Sequence, residues 1–460
     1  MKKILKLLSN IFNILYKILP FFIGMYCYYP VFIEQEEHIY PFLDAVYSSI
    51  KLYSGCTESG IAVGGLLQLA RFLALAATLS ILINVFNKMN NIINCIKLLS
   101  GDSTVIYGNS SYADYLYESL EKRIRIRGEE KKFIKNASRY MLMFSSDTEN
   151  LEFYNRNYER LKEKNVYIML DDVSRQNIEN HLITVFSIAE NCARQYWKDN
   201  PAEKSEKIAI IGFGNIGENI LLYGLQVNLI DTEQHFEYHI YGNGTSFRRE
   251  HTALDKMAPD EIIFHDSGIC EYSEIQDFDR IIICDGTGDS NIITASKLFA
   301  SASINCKVYI YAPNGDIITN LFGSEKIKCF GTAKEIASVD IIFNKRLMED
   351  ARKQHEFYFK KYGGTPWEKL DCFKRYSNVS SSDYMYVIER LLENGMPFEK
   401  LAELEHIRWC RYHYINNWKY GKVTDSSKRI HNCLIPFSEL SDEEKAKDVE
   451  AIKSKMQNNV

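Results

Sequence analysis

The sequence lacks the features that mark zinc proteins, nucleic-acid-binding proteins and disulfide scaffolds. Its 11 cysteines include no Cys-x-x-Cys pair and no Cys/His spacing suited to a metal, so we expect reduced thiols and no metal site. The 55 basic and 60 acidic residues leave a net charge of -5, which offers nucleic acid no general attraction. No low-complexity tract or short tandem repeat is present. A chain of 460 residues is therefore expected to form several globular domains.

Two long hydrophobic runs stand near the N-terminus. Residues 11–33 carry one charge, Lys17, and residues 60–86 carry one charge, Arg71. Each run meets the length of about 20 apolar residues that a membrane-spanning helix needs. A signal peptide is the rival interpretation of the first run, but the run is too long and no small-residue cleavage site follows. The sequence thus predicts a two-helix transmembrane domain over residues 1–100.

The charges around these runs predict their orientation. Basic residues precede or open the first run and follow the second: Lys2, Lys3, Lys6 and Lys17, then Lys88 and Lys97. Acidic residues dominate the loop between the runs: Glu34, Glu36, Glu37, Asp44 and Glu58, against one Lys51. By the positive-inside rule, both termini and every downstream domain face the cytoplasm. We expect a multi-pass protein of the bacterial inner membrane, with the lipid bilayer as a partner.

The loop between the runs contains a short helical pattern over residues 40–53. It is too short to span a bilayer, so it is either a re-entrant pore helix or an interfacial helix. A potassium filter of the TVGYG kind is absent, which leaves potassium selectivity unsupported. Arg71 lies inside the second run, where a charge usually faces a bundle interior or a water-filled path. This predicts an oligomer or a pore; snorkelling of Arg71 toward an interface is the alternative.

Residues 101–200 alternate between strand and helix patterns. Strand-like runs occupy residues 104–107, 140–144 and 166–170, and helical stretches occupy residues 115–122, 152–161 and 178–197. This rhythm predicts a Rossmann-like domain with a parallel sheet and helices on both faces. Ser110 and Ala113 stand where a dinucleotide fingerprint has its second and third glycines. We therefore interpret this copy as degenerate and structural.

Residues 201–345 open with the fingerprint that the first copy lacks. An apolar run over residues 207–211 is followed by Gly212, Phe213, Gly214, Asn215, Ile216 and Gly217. In GxGxxG the first glycine permits a turn, the second lets the backbone approach a pyrophosphate, and the third lets the helix lie close on the strand. Phosphate would then bind free N–H groups at the helix N-terminus. A Rossmann half that keeps this turn without a ligand is the alternative.

The following strands supply further candidate residues. The second strand, residues 236–241, is followed by Gly242 and Asn243, where NAD-binding halves have an acidic residue that binds the ribose. Ordinary NAD recognition is therefore disfavoured, although Asn243 could still donate to a ribose. The third strand, residues 280–284, ends at Asp285 and Gly286, on the edge where such sheets bind ligands. A fourth strand covers residues 307–311.

Two Rossmann-like halves directly behind a membrane helix resemble the RCK or TrkA-type domains that regulate potassium conductance. The resemblance covers residues 100 to 345 and rests chiefly on Gly212, Gly214 and Gly217. It implies a ring or pair of cytosolic domains that couples a bound nucleotide or ion to a membrane pore.

Residues 346–460 begin with a helical stretch and hold the most distinctive pattern of the chain. Its residues are Glu405, His406, Arg408, Trp409, Trp418, Tyr420, Gly421 and His431, followed by Leu434, Pro436 and Phe437. Over residues 395–450 the pattern resembles the ryanodine-receptor repeat (RyR) domain, which implies a small, mainly α-helical domain. Asn417 stands where the family usually has Gly, and Asn432 where it usually has Pro.

Three ionisable groups, Glu405, His406 and Arg408, share one helical turn beside Trp409 and Trp418. Such a set suits a nucleobase held by stacking and a phosphate or ribose held by charge. The alternative is that the tryptophans form a small core and that Glu405 pairs with Arg408 or Arg411. A histidine near a carboxylate also suits general-base work, but no nucleophile or metal set accompanies it, so we expect no enzyme.

The leading functional hypothesis is a homo-oligomeric membrane protein, dimeric or tetrameric, whose cytosolic region senses a nucleotide-derived or NAD-derived ligand. It would gate a pore or perturb the membrane, as effectors of bacterial anti-phage defence do. One alternative is a potassium or cation transport protein regulated by RCK domains. A membrane-anchored NAD-dependent oxidoreductase is the third hypothesis, and the missing acidic residue after Tyr241 counts against it.

Overall fold

The structure is a computed structural model that describes residues 2–35, 37–58, 61, 64–171, 178, 182–233, 235–267, 274–286, 288–301, 304–315, 327–343 and 345–457. The chain divides into two compact units, Met1–Leu99 and Ser100–Val460.

The first unit is a helical hairpin with a short helix in its loop. Its helices are α1 (Lys2–Glu34), α2 (Pro41–Lys51) and α3 (Gly65–Leu99), with a 3-10 turn at Leu52–Ser54. The windows Leu15–Glu34 and Gly65–Ile83 are long and apolar enough to cross a membrane. Both apolar runs therefore form helices as predicted.

Small residues bring the helices of this unit together. Ala70, Ala74 and Ala77 lie on one face of α3 and are fully buried. On α1, a Cβ added at Gly24 would lie 2.7 Å from the hydroxyl of Ser49 on α2. Small side chains permit this close approach, which is the usual packing of helices in a membrane.

The second unit contains two parallel sheets, the first of five strands. These are β1 (Thr104–Tyr107), β2 (Arg125–Arg127), β3 (Arg139–Leu142), β4 (Asn165–Met169) and β5 (Ile183–Phe186), in the order β2-β1-β3-β4-β5. Its helices are α4 (Ser111–Ser119), α5 (Asp147–Arg156), α6 (Tyr158–Leu161) and α7 (Ile188–Asp199). The prediction of one helix over residues 178–197 was wrong. Its β-branched part forms β5 beside β4, and the helix begins at Ile188.

The second sheet has six strands, all parallel. They are β6 (Lys207–Ile211), β7 (Glu237–Tyr241), β8 (Glu261–His265), β9 (Arg280–Ile283), β10 (Lys307–Tyr311) and β11 (Ile327–Phe330). Their order, β11-β10-β9-β6-β7-β8, is that of a dinucleotide-binding fold. The helices are α8 (Asn215–Val227), α9 (Thr245–Glu250), α10 (Gly288–Ser301) and α11 (Ala333–Ile336). Two Rossmann-like sheets are thus confirmed, although the sequence patterns missed β2, β5, β8 and β11.

The remainder of the second unit is mainly helical. It comprises α12 (Val339–Ile342), α13 (Arg346–Tyr362), α14 (Cys372–Glu393), α15 (Phe398–Ile415), the short strands β12 (Lys419–Tyr420) and β13 (Ile430–His431), and α16 (Asp442–Gln457). One buried core runs from the sheets into these helices and includes Trp197, Tyr238, Tyr384 and Leu401. The Rossmann-like sheets and the C-terminal helices therefore share a hydrophobic interior.

Candidate functional site

A cavity of about 540 Å³ lies where the carboxyl ends of the two parallel sheets meet. It is lined by Asn109, Ser110, Ser111, Tyr112, Ser145, Met169, Asp171, Ile188, Gly214, Asn215, Ile216, Cys284, Gly286 and Tyr311. Nearly all of these residues follow a strand or begin a helix in one of the two halves. This is the edge at which open α/β sheets bind their ligands.

Each glycine of the fingerprint has a separate structural role. Gly212 has φ +88°, and a Cβ there would lie 2.4 Å from the backbone of Asp285. A Cβ at Gly217 would lie 2.5 Å from the carbonyl oxygen of Gly212, so this glycine lets α8 pack on β6. A Cβ at Gly214 would meet no heavy atom of the described chain within 4 Å. A side chain at Gly212 or Gly217 would therefore clash with neighbouring backbone, whereas Gly214 leaves the backbone accessible.

The N-terminus of α8 offers backbone donors to this cavity. Gly214 is its N-cap residue, with φ -110° and ψ -162°, and no described side chain caps the helix. Asn215 and Ile216, the first residues of α8, line the cavity. A helix of 13 residues carries a partial positive charge at such an end, which favours a bound anion.

The first Rossmann half contributes one wall, although the sequence led us to interpret it as structural. Asn109, Ser110 and Ser111, at the start of α4, line the cavity opposite the glycine turn. The hydroxyls of Tyr112 and Tyr311 share a hydrogen bond that joins the two halves at the cavity wall. This half therefore supplies part of the cavity wall, through polar residues that follow β1.

Asp171 is a cavity residue that sequence analysis missed. It follows β4, and its Oδ1 accepts hydrogen bonds from the Ser187 hydroxyl at 2.7 Å and from Ala189 N at 3.0 Å. Burial raises the pKa of the Asp171 carboxyl, although these hydrogen bonds oppose the rise. The described lining residues include no lysine or arginine. Among the described lining residues, the groups that can donate to an anion are therefore backbone N–H groups and uncharged side chains.

Three predicted residues of the Rossmann site, Phe213, Asn243 and Asp285, lie outside the cavity lining. Phe213 is buried and packs its ring against Phe247 and Phe264, with centroids 5.0 and 5.8 Å away. Asn243 is exposed, and its Oδ1 accepts a hydrogen bond from Thr245 N at 3.1 Å. Asp285 is exposed and meets Gly212 through its backbone, whereas the neighbouring Gly286 lines the cavity.

A second cavity, of about 650 Å³, lies in the C-terminal helical part. Its lining comes from α13, α14, α15 and the loops around β12 and β13: His355, Tyr358, Leu370, Asp371, Phe373, Lys374, Ser377, Asn378, Trp409, His413, Asn416, Trp418, Thr424, Ser426, Arg429 and His431. Three predicted residues, Trp409, Trp418 and His431, thus meet at one site. We call this site the aromatic cavity.

Aromatic rings form one wall of the aromatic cavity. Trp409 meets His431 edge to face at 4.9 Å between centroids, and Phe373 stacks on Trp418 at the same distance. Burial lowers the pKa of His413 to about 3 and also lowers the pKa of His431. Both imidazoles are therefore neutral near pH 7. The wall is suited to a flat, uncharged ring such as a nucleobase.

The ionisable triplet predicted beside these tryptophans does not line the aromatic cavity. Arg408 Nε lies 2.7 Å from Glu405 Oε2, and Arg408 Nη1 donates to the Ser380 hydroxyl at 2.8 Å. His406 Nε2 donates to the carbonyl oxygen of Ile435 at 2.9 Å. All three predicted residues are buried. The structure therefore has the alternative arrangement, an internal ion pair between Glu405 and Arg408.

The remaining residues of the RyR-like pattern shape the loop beyond α15. Tyr420 is exposed on β12, and a Cβ at Gly421 would lie 2.4 Å from the Ile430 side chain, so glycine permits the close pairing there. Asn417 has φ +60°, a left-handed conformation that glycine adopts most easily. This explains why the family usually has Gly at this position.

Arg71, the predicted pore or membrane residue, lies in the first turns of α3. Its side chain is half-buried, and Nε donates to the carbonyl oxygen of Gly55 at 2.8 Å. Gly55 follows the 3-10 turn after α2. This hydrogen bond links α3 to the loop between the two long helices, near one end of the hairpin.

Comparison with known proteins identifies a domain in the C-terminal part of the chain. Residues 389–458 match the RyR domain, which confirms the resemblance found in the C-terminal pattern. Among solved structures, the crystal structure of a dipicolinate synthase chain from Bacillus halodurans is 11% identical and matches with a TM-score of 0.23. That match covers 53% of this chain and 97% of the other.

Proposed function

We propose that this chain is a membrane-anchored receptor that binds a nucleotide-derived ligand between its two Rossmann-like halves. The observation that carries the proposal is the accessible backbone at Gly214, at the N-terminus of α8 and on the wall of the 540 Å³ cavity. Cavities of this volume are typical of small-molecule sites. A phosphate bound to backbone N–H groups is the ligand group that such a turn accommodates.

Other residues can contact the remaining parts of the ligand. Asp171 offers a carboxyl that can accept hydrogen bonds from ribose hydroxyls. The aromatic cavity of the RyR domain offers a stacking wall at Trp409 and is a second candidate site for a nucleobase. We infer that the Rossmann cavity is the sensor, because its donors suit the charged part of a nucleotide.

The response that we propose is a change in membrane permeability. Four residues separate the end of α3 at Leu99 from the start of β1 at Thr104, so the sensing region is attached directly to a helix that is apolar enough to span a bilayer. A ligand that binds one arrangement of the homo-oligomer more tightly shifts the population toward it. A chain that joins a nucleotide sensor to membrane helices would serve as a channel or a membrane-perturbing effector, with anti-phage defence as the proposed biology.

Thermal unfolding of the full chain in detergent, with a panel of nucleotides, tests the binding proposal. A ligand at about 100 times its Kd should stabilise the chain by roughly 2.7 kcal/mol. Gly214→Asp should abolish this effect, because the new carboxylate would occupy the N-terminus of α8. Asn243→Asp is the matched control: it adds a carboxylate after the neighbouring strand but outside the cavity lining, and it should leave the effect intact.

Trp409→Ala separates the two cavities. If stabilisation survives Gly214→Asp but is lost in Trp409→Ala, the ligand binds the aromatic cavity and the proposed sensor is wrong. If no nucleotide stabilises the wild-type chain, the receptor proposal itself is contradicted.

A further inference from the structure

The last part of α3 carries an apolar stripe with a regular spacing. Toward its end at Leu99, five apolar residues of α3 recur at intervals of four, three, four and three: Val85, Met89, Ile92, Ile96 and Leu99. This alternation is the heptad spacing of a coiled coil, in which each such side chain inserts between residues of a partner helix. We call these five residues the α3 stripe.

The α3 stripe is exposed in the single chain. The exposed fractions of its five residues run from 47% at Val85 to 85% at Leu99. On the other side of the helix, Asn94, Lys97 and Leu98 are partly buried. A helix of a soluble protein normally turns its apolar face inward. The reversed arrangement here requires a partner that covers the stripe.

We infer that the α3 stripe is covered by the same stripe of other copies of this chain, in a parallel coiled coil. The inference rests on the proposed membrane function, because copies that cross a bilayer in one orientation present their α3 helices in parallel. Those helices can then pair in register along the stripe, since every copy has the same heptad spacing.

Lipid is the rival occupant of the stripe, and two features of α3 disfavour it. The helix is unbroken from Gly65 to Leu99, and about 20 residues suffice to span a bilayer, so residues 84–99 project out of the bilayer instead of lying along its surface. That part also contains five asparagines and two lysines, which hydrocarbon does not solvate.

The residue types in the stripe favour more than two copies. In the heptad, Val85, Ile92 and Leu99 occupy d positions; two of these three are β-branched, and β-branched side chains at d disfavour dimers relative to trimers and tetramers. Ile93 and Cys95, at the flanking positions, are also exposed and widen the apolar face. A wide face allows each helix to contact two neighbours. The inferred assembly therefore has three or four copies.

Site-directed crosslinking of the full chain in its native membranes tests the inference. The exposed cysteines Cys56 and Cys95 are first replaced by Ser. Ile96→Cys then places a thiol on the stripe, and Asn94→Cys, the matched control, places one on the other side of the helix. After mild oxidation, we expect Ile96→Cys to run largely as a linked dimer on a non-reducing gel and Asn94→Cys to run as a monomer. Equal crosslinking of the two variants would overturn the inference.

A second measurement addresses assembly directly. Native mass spectrometry in detergent should show trimers or tetramers for the wild type and for the control Asn90→Ala/Asn94→Ala, but monomers for Ile92→Asn/Ile96→Asn. An unchanged oligomer in the latter variant contradicts the stripe as the contact. Carbonate extraction of the same membranes distinguishes the two proposals. If the chain stays in the membrane but Ile96→Cys does not crosslink, the stripe proposal is refuted and the proposal of membrane anchoring is not. A chain that is released refutes membrane anchoring and the parallel arrangement with it.

Discussion

Arg411 and Asp260 form a buried ion pair that joins the RyR domain to the second Rossmann-like half. Arg411 Nη1 lies 2.6 Å from Asp260 Oδ2, and each side chain is only 2% exposed. The same guanidinium donates to the carbonyl oxygens of Leu225 at 2.9 Å and Met257 at 2.8 Å. These contacts hold the RyR domain against the fingerprint helix, α8, and against the loop before β8.

Removing one partner of this pair should destabilise the second unit strongly. Asp260→Ala leaves a buried guanidinium without its carboxylate, which costs about 3–5 kcal/mol in comparable cases. Urea unfolding of the full chain in detergent measures the loss. Asp255→Ala is the control, because Asp255 and Lys256 form an exposed pair at 3.3 Å, worth at most about 1 kcal/mol. Equal effects of the two variants would show that the buried pair does not hold the domains together.

The glycines of the fingerprint should respond differently to the same substitution. Gly212→Ala forces a Cβ into a left-handed conformation and against the Asp285 backbone, and should cost about 1–3 kcal/mol or more. Gly214→Ala should change stability by less than about 1 kcal/mol, because its Cβ meets open space. Thermal denaturation compares the two variants. A larger loss for Gly214→Ala than for Gly212→Ala would contradict the separate roles of these glycines.

Gly214→Asp should stabilise the ligand-free chain slightly while it blocks binding. The backbone at Gly214 is extended, as an N-cap residue requires, and an aspartate there can accept hydrogen bonds from the first turn of α8. We expect a gain of a few tenths to about 1 kcal/mol. The melting temperature without ligand measures it, and a clear loss of stability would mean that the N-terminus of α8 is not open to an anion.

His406 should make the stability of the RyR domain depend on pH. Burial opposes its charge, but contacts with Asp448, 3.5 Å from Nδ1, and with Cys410 outweigh burial and raise the pKa of His406 to about 10. Because the folded pKa exceeds the unfolded value of about 6.5, this stabilisation is complete below pH 6.5 and is lost as the pH rises toward 10.

Asp448→Asn tests this dependence. Between pH 6.5 and 9.5 the stability advantage of the wild type over the variant should fall by about 1–2 kcal/mol, measured by urea unfolding. Asp442→Asn, on the exposed first turn of α16, is the control and should show no such trend. A constant difference between the wild type and Asp448→Asn would mean that His406 is not held charged by this partner.

Sequence analysis predicted the parts of the site whose residues lie close together along the chain. The turn at Gly212, Gly214 and Gly217 was predictable because each role depends on neighbours within a single strand–helix unit. The aromatic residues of the RyR domain were predictable from a family pattern, which the match over residues 389–458 confirms.

The parts that it missed depend on contacts between distant segments. Tyr112 and Tyr311 meet across two sheets, and Asp171 reaches the cavity only because β4 lies beside β3 in the first sheet. Strand β2 has three residues, too few for a periodic pattern to be visible. The burial of Glu405 and Arg408 depends on Ser380 and Ser381 of α14, which the local sequence does not reveal.

The most direct test of the account is ligand-triggered permeability in liposomes that contain the full-length chain. With the nucleotide that stabilises the wild type added on the cytosolic side, we expect rapid release of a small trapped dye or ion from wild-type and Asn243→Asp liposomes, and none from Gly214→Asp liposomes. Release that is equally fast without the nucleotide, or equally fast from Gly214→Asp, would contradict the claim that a ligand in the Rossmann cavity controls the membrane helices.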